Sequence, residues 1–225
     1  MYKHFFKRLF DFIIGLIAFP FVILAIIIFA PIIFLTDRGP VFYCAPRLGK
    51  KGKVYKMIKF RSMKVNAPDI RNADGSTYNG AKDPRVTGIG RFMRKTSIDE
   101  IPQFLNVLVG HMSLIGPRPH LTTHYEGYDK LDEDRKKRLE VRPGITGYSQ
   151  AYYRNSIGSE QKLKNDVYYA ENISLWLDIK IIFKTAFSVL KRENIYVTPD
   201  TPKEETKEEI KAEETPVPDE KKVTK

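Results

Sequence analysis

One cysteine, Cys44, stands among 225 residues. No internal disulfide is therefore available, and neither is a cysteine-built zinc site, which excludes a small secreted scaffold. Histidine is almost as scarce, with four residues in all, and a histidine-based metal site is not expected. Neither a P-loop nor a GxGxxG fingerprint occurs, so the common sequence signatures for cradling a nucleotide are missing. Acidic side chains are also in deficit, with 27 Asp and Glu against 38 Lys and Arg for a formal charge of +11.

That deficit is uneven. Residues 200–225 carry nine acidic and six basic side chains, a net of −3, so residues 1–199, with 32 basic and 18 acidic, carry +14. Phe12 to Leu35 is a run of 24 residues with no charged side chain. As a helix it would reach roughly 36 Å, enough for a hydrocarbon core of roughly 30 Å. It is long for a signal peptide and has no small-x-small pattern before Thr36.

Straight passage through a membrane meets two objections. Pro20 removes a backbone donor and pushes on the carbonyl of Leu16, and Pro31 repeats the effect, so each should kink or break the helix. Lys3, Lys7 and Arg8 precede the run, while Arg38, Arg47, Lys50, Lys51 and Lys53 follow it, so both flanks bear the mark of the cytoplasmic side. A re-entrant helix broken at Pro20 satisfies both flanks, whereas a single-pass helix with a tolerated kink satisfies the length; the two readings stand side by side here.

The body begins at residue 39. Pro40–Tyr43 and Val54–Phe60 read as short strands around Gly49-Lys50-Lys51-Gly52, a hairpin. Residues 66–85 are polar and read as a surface loop. Ile98, Ile101, Leu105, Leu108 and Val109 recur at helical spacing until Gly110, and Leu131–Val141 gives a charged helix. Over Ile173–Arg192, Trp176, Ile179, Phe183, Phe187 and Leu190 form one stripe with lysines beside it, which fits a helix in the membrane interface and a core-facing helix equally. Residues 199–225 hold too little apolar surface to fold and are expected to be a disordered tail. The fold class expected is α+β, mainly helical: a re-entrant membrane segment over 1–38, a catalytic domain with a small hairpin and interfacial amphipathic helices over 39–198, and the tail.

The densest chemical signal is Thr96-Ser97-Ile98-Asp99-Glu100-Ile101-Pro102-Gln103. Ser97 and Glu100 have the spacing of a capping box, a purely structural device. Pro102 weakens that reading, because it would fall at the fifth helical position, where a donor is needed. An irregular helix start carrying two carboxylates suits phosphate chemistry, since a carboxylate can ligate Mg²⁺ or attack phosphorus. Candidate phosphate binders surround it: Lys59, Arg61, Arg85, Arg91, Arg94, Arg118 between Pro117 and Pro119, Arg142 in Arg142-Pro143-Gly144, and Arg154. Arg118 starts from a restricted backbone and presents its planar fork at low ordering cost. Nucleic acid is not an expected partner, since no recognisable motif for it appears.

Several ordered motifs carry a resemblance. They are Lys7-Arg8-Leu9-Phe10-Asp11, Gly39-Pro40-Val41-Phe42, Lys59-Phe60-Arg61-Ser62-Met63, Lys95-Thr96-Ser97-Ile98-Asp99-Glu100, Gln103-Phe104-Leu105-Asn106-Val107, Met112-Ser113-Leu114-Ile115-Gly116-Pro117-Arg118-Pro119, Val141-Arg142-Pro143-Gly144-Ile145-Thr146-Gly147 and Asp166-Val167-Tyr168-Tyr169. From about residue 3 to about residue 192 the chain resembles the bacterial sugar transferases called monotopic phosphoglycosyl transferases, of the small type with one catalytic domain. The resemblance implies transfer of a phospho-sugar from a UDP-sugar to polyprenol phosphate, undecaprenyl phosphate in bacteria, with release of UMP. It assigns Asp99 as the nucleophile of a covalent phospho-sugar intermediate, Glu100 as its partner, Mg²⁺ at Asp99, and Arg85 and Arg118 as phosphate contacts. It implies a location on the cytoplasmic face of the inner membrane, with membrane lipid as a partner and a homodimer as an open option. The chain departs from the family at Phe19-Pro20, where Ser-Pro is common, and at Tyr148 to Arg154, which bears on sugar choice. The competing class is a membrane-anchored basic adaptor without activity.

Overall fold

The structure, a computed structural model, describes residues 2–70, 78, 80, 82–123, 125–153 and 156–191. The expected tail, Arg154 and much of the polar stretch after residue 70 lie outside the described residues.

A π-type turn over Tyr2–Phe6 leads into α1, Lys7–Asp37. The two helices expected on either side of Pro20 are recorded as a single helical run, with both Pro20 and Pro31 inside it. A proline forfeits one N–H and displaces one carbonyl, which bends a helix without unwinding the turns around it. Most of the large side chains of α1 face outward, Phe21 at 67% and Leu35 at 73% exposure among them. Each would gain about 1.5–3 kcal/mol on leaving water.

Both ends of α1 are nevertheless held by the rest of the chain. At its start Lys7 pairs with Asp178 at 2.7 Å, and Arg8 donates to the carbonyls of Val107 and Leu108. One turn on, Asp11 accepts from Ser113 Oγ and Leu114 N. Gly15 lies so close to Leu108 that a Cβ would stand 2.9 Å from its Cδ2. At the far end Ala25 and Ile33 share a core with Phe60 and Met93, and Arg61 pairs with Asp37. The lysine and arginine of the first flank are thus docking groups as well as charges.

The strands β1 (Phe42–Leu48) and β2 (Val54–Phe60) form the expected antiparallel hairpin, in register from Phe42↔Phe60 to Leu48↔Val54. β1 runs five residues beyond the expected Tyr43 because Pro46 does not end it. Asn106 bonds to the outward N–H of Ile58 and the outward C=O of Lys56, so Lys56 and its partner Pro46 form a pair without mutual hydrogen bonds, where a missing N–H is harmless.

The helix α2 (Gly88–Thr96), capped by Thr87, is followed by a 3₁₀ turn over Ile98–Glu100 and by α3 (Gln103–Leu108). Then come β3 (Ser113–Ile115), β4 (His120–Leu121), α4 (Glu133–Leu139), β5 (Gly144–Thr146), α5 (Tyr148–Tyr152), α6 (Ser159–Glu171) and α7 (Leu175–Lys191). β4 adds to β1 in the order β2-β1-β4, and β3 pairs with β5 in parallel. The stretch 66–85 is not wholly a surface loop, since Tyr78, Asp83 and Arg85 are all buried.

α7 separates its faces. Asp178 and Ile181 are buried, Asp178 accepting from Tyr2, Lys7 and Tyr169, while Trp176 (65%) and Phe183 (72%) are exposed together with Phe187. The aromatic stripe therefore lies on the outer face, against the core-facing alternative, and Lys180 stands over Trp176.

Candidate active site

Asp99 and Glu100 sit in the 3₁₀ turn between α2 and α3. Ile98 and Ile101 flank them and pack onto the core cluster of Ala25, Ile33, Phe60 and Met93, which anchors the turn on both sides of the two carboxylates. Ser97 enters the turn with φ 59°, a left-handed conformation that costs a non-glycine residue of order 1 kcal/mol and is often found at functional sites. That geometry ends the capping-box reading. An N-cap serine needs extended backbone and a side-chain bond, and Ser97 has neither. Pro102 precedes α3 at its N-cap instead of interrupting it, which is the irregular start expected from the sequence.

Glu100 is free of capping and accepts from Lys59 Nζ at 2.6 Å. Lys59 lies near the end of β2, and the Asn106 clamp on that strand's outer edge ties it to α3. Two neighbouring carboxylates repel, and the site resolves this by making them unlike. Burial and the charge of Glu100 push Asp99 up to about 6, against the opposing pull of Lys59 and Arg94. Burial acts on Glu100 too, but Lys59 and Arg118 outweigh it and hold that carboxyl below its ordinary value. Glu100 is the fixed charge, and Asp99 titrates just below neutrality.

Arg118 is exposed, and its guanidinium has no hydrogen bond or ion pair to the described residues, although it lies near enough to influence Glu100 and Arg47. Its backbone is tightly held. Arg138 of α4 donates to the Arg118 carbonyl at 2.8 Å and forms a buried ion pair with Asp166 of α6. Gly116 N donates to Thr146 O and Gly144 N to Pro117 O, so the β3-β5 pairing continues into the Pro-Arg-Pro turn. A Cβ on Gly116 would stand 2.3 Å from the Arg142 carbonyl.

The other phosphate candidates do different work. Arg61 is buried and bonds to Asp37, Ile33 O and Pro40 O, locking the end of α1 to β2. Arg85 is buried against Asp83 and the Tyr78 carbonyl. Arg142 donates Nε to Gly110 O, beside the end of α3 that Arg8 caps. Of the eight, Lys59, Arg94 and Arg118 act on the carboxylate pair, Arg61, Arg85, Arg91 and Arg142 have partners elsewhere, and Arg154 lies outside the described residues. Asn106, Arg138 and Asp166 escaped sequence reasoning because their partners lie 20 to 50 residues away.

For a cation, the described residues contain no cluster of three or more His, Cys, Asp or Glu. His120 and His124 stand four apart, a spacing that places two ligands together only on a helix, but His120 is in β4 and His124 is outside the described residues. Asp99 with Glu100 fits Mg²⁺ in its usual manner, in which one or two carboxylates share the ion with substrate phosphates and water.

The family model for bacterial sugar transferases matches residues 2–192. The UDP-glucose:undecaprenyl-phosphate glucose-1-phosphate transferase of Klebsiella pneumoniae is 39% identical over 196 residues, 85% of this chain and 41% of that protein. The undecaprenyl-phosphate galactose phosphotransferase of Salmonella typhimurium is 37% identical over 211 residues, 86% and 42%. The UDP-N-acetylgalactosamine-undecaprenyl-phosphate N-acetylgalactosaminephosphotransferase of Aeromonas hydrophila is 39% identical over 189 residues, 83% and 44%. The chain spans about two fifths of the length of these relatives.

Proposed function

The chain belongs to the bacterial sugar transferase family, and from that premise we propose that it is a phosphoglycosyl transferase, moving a sugar 1-phosphate from a UDP-sugar to a polyprenol phosphate such as undecaprenyl phosphate. The observation that carries the proposal is the unlike carboxylate pair, with Glu100 held ionised by Lys59 beside Asp99, and the Arg118 guanidinium presented without a hydrogen bond among the described residues.

Asp99 Oδ attacks the sugar-bearing phosphorus, the bond to the UMP phosphate breaks, and UMP leaves with the electron pair. The lipid phosphate oxygen then attacks the aspartyl phospho-sugar and restores the carboxylate. Glu100 and Lys59 set the charge around Asp99, while Arg118 offers its fork to a phosphate oxygen. Mg²⁺ held by Asp99 with the diphosphate would offset the repulsion between the anions.

The same reading places α1 as a re-entrant segment. A straight helix of 31 residues would extend about 46 Å, yet both its ends are tied to one body, as a segment that enters and leaves by one leaflet requires. The exposed face of α7 then lies in the interface of the same leaflet, the cytoplasmic one of the inner membrane by the positive charge on both flanks. A basic surface there concentrates two anionic substrates.

The test is purified protein with Mg²⁺ and undecaprenyl phosphate against a panel of UDP-sugars, including those of glucose, galactose and N-acetylgalactosamine. Wild type should release UMP with at least one sugar, and Asp99→Asn with none. Near wild-type turnover in that variant would overturn the mechanism, and an adaptor would release no UMP from any sugar.

A further inference from the structure

At the far end of α3 from the carboxylate pair lies a cavity of about 180 Å³, between the start of α1, the β1-β2 turn and the segment leading to β5. That is several times the volume of about 30 Å³ that a water molecule takes in the liquid. Lys3, Arg8, Lys50 and Arg142 line it, and none of these four forms an ion pair with a carboxylate among the described residues. Lys3 donates to the Ala170 carbonyl, Arg8 to those of Val107 and Leu108, and Arg142 to that of Gly110. Neutral carbonyls satisfy hydrogen bonds without cancelling charge, and Arg8 and Arg142 repel one another across this space.

The acids of the wall offset only part of this charge: Asp11 draws on Arg8, and with Glu140 it leaves two carboxylates against the four cations. Asp11 is buried and accepts from Ser113 and Leu114, and Glu140 accepts from Tyr128. The cavity opens at the start of the apolar helix, a stretch that also carries the exposed Phe5 and Leu9, and Ile173 and Val141 supply apolar surface to its wall. A soluble anion would gain nothing from those apolar neighbours, whereas an acyl chain would.

We propose that this cavity binds the phosphate head group of an anionic membrane phospholipid, at a site separate from Asp99 and Glu100. The lipid screens Arg8 from Arg142 and clamps the first turn of α1 to the body. The proposal rests on α1 lying in lipid and not on the transfer chemistry.

The experiment is native mass spectrometry and thermal melting of the full chain in nanodiscs of phosphatidylcholine, with increasing phosphatidylglycerol. Wild type should retain one phosphatidylglycerol per chain in preference to phosphatidylcholine and melt higher with it. Lys50→Gln with Arg142→Gln should lose that retention by about tenfold, while Lys130→Gln, with the same sign of charge change on an exposed surface pair, should retain it. Lys50→Gln alone, in an exposed turn, serves if the double variant does not fold, and should show the same direction. Equal retention of the two lipids by wild type, equal loss in the Lys130 control, or equal stabilisation by inorganic phosphate would overturn the proposal. UMP release, measured on the same samples, tests the transferase reading separately.

Discussion

Asp99 and Glu100 are neighbours in sequence with different charge behaviour, and the difference can be measured in two ways. A carboxyl standing at about 6 in the folded chain, against about 3.9 unfolded, binds its proton more tightly when folded. It therefore costs stability above pH 6, and that cost fades as pH falls toward 4. Asp99→Asn should melt higher than wild type at pH 7.5, by the equivalent of about 1 kcal/mol after solvent screening, with the gap closing by pH 4. The same variant should be inactive. In wild type, UMP release should decline below pH 6 by about tenfold per unit, as the attacking carboxylate is protonated. A flat pH profile between 4.5 and 7 would contradict the assignment. The arginines sort by the same logic. Arg118→Gln should lose activity with little loss of stability, whereas Arg85→Gln leaves the buried Asp83 unpaired and should destabilise by about 3–5 kcal/mol. Asp83 stands two residues from Arg85, but Arg61 and Arg142 find their partners 24 and 32 residues away, beyond any local signal. Arg118 between two prolines was legible as a candidate, but so were Arg61, Arg85 and Arg142, whose commitments depend on Asp37, Asp83 and Gly110.

At the scale of elements, the site is a turn held between two helices and a strand edge. The 3₁₀ turn exists because Ser97 turns left-handed after α2 and Pro102 must precede α3. Pro102 was readable in advance; the conformation of Ser97 was not, because serine seldom adopts it. The strand β1 was read too short, since proline argues against a strand unless its missing N–H points away from the partner, and that depends on Asn106 fixing the pairing phase. Asn106→Ala should leave Ile58 N and Lys56 O unpaired, lower stability by about 1–3 kcal/mol, and reduce turnover because Lys59 is no longer held beside Glu100. Asn106→Asp keeps the acceptor for Ile58 N but sets a buried carboxylate oxygen against the Lys56 carbonyl, so it should lose at least as much; near wild-type stability in either variant would contradict this role. Gly116→Ala should displace the Pro-Arg-Pro turn, because the obstruction is backbone, and abolish UMP release even in preparations that remain folded.

For the whole molecule, the charge imbalance and the uncharged run of 24 residues become one arrangement. An apolar helix is tied at both ends to a basic body, and α7 carries an exposed aromatic stripe on its outer face. Composition announced the parts, but the two-ended attachment depended on Lys7 meeting Asp178 and Arg61 meeting Asp37. Single cysteines at Lys3 and Lys50 should both be unreactive to an impermeant thiol reagent added outside spheroplasts and reactive after lysis; labelling of either from outside would show that α1 crosses. The chemistry has a more direct test. Wild-type protein mixed with a UDP-sugar and Mg²⁺, with no lipid acceptor, should release about one UMP per active chain in a single burst, and the peptide containing Asp99 should gain the mass of the phospho-sugar. Absence of both signals, in a preparation that turns over once undecaprenyl phosphate is added, would contradict a covalent aspartyl route.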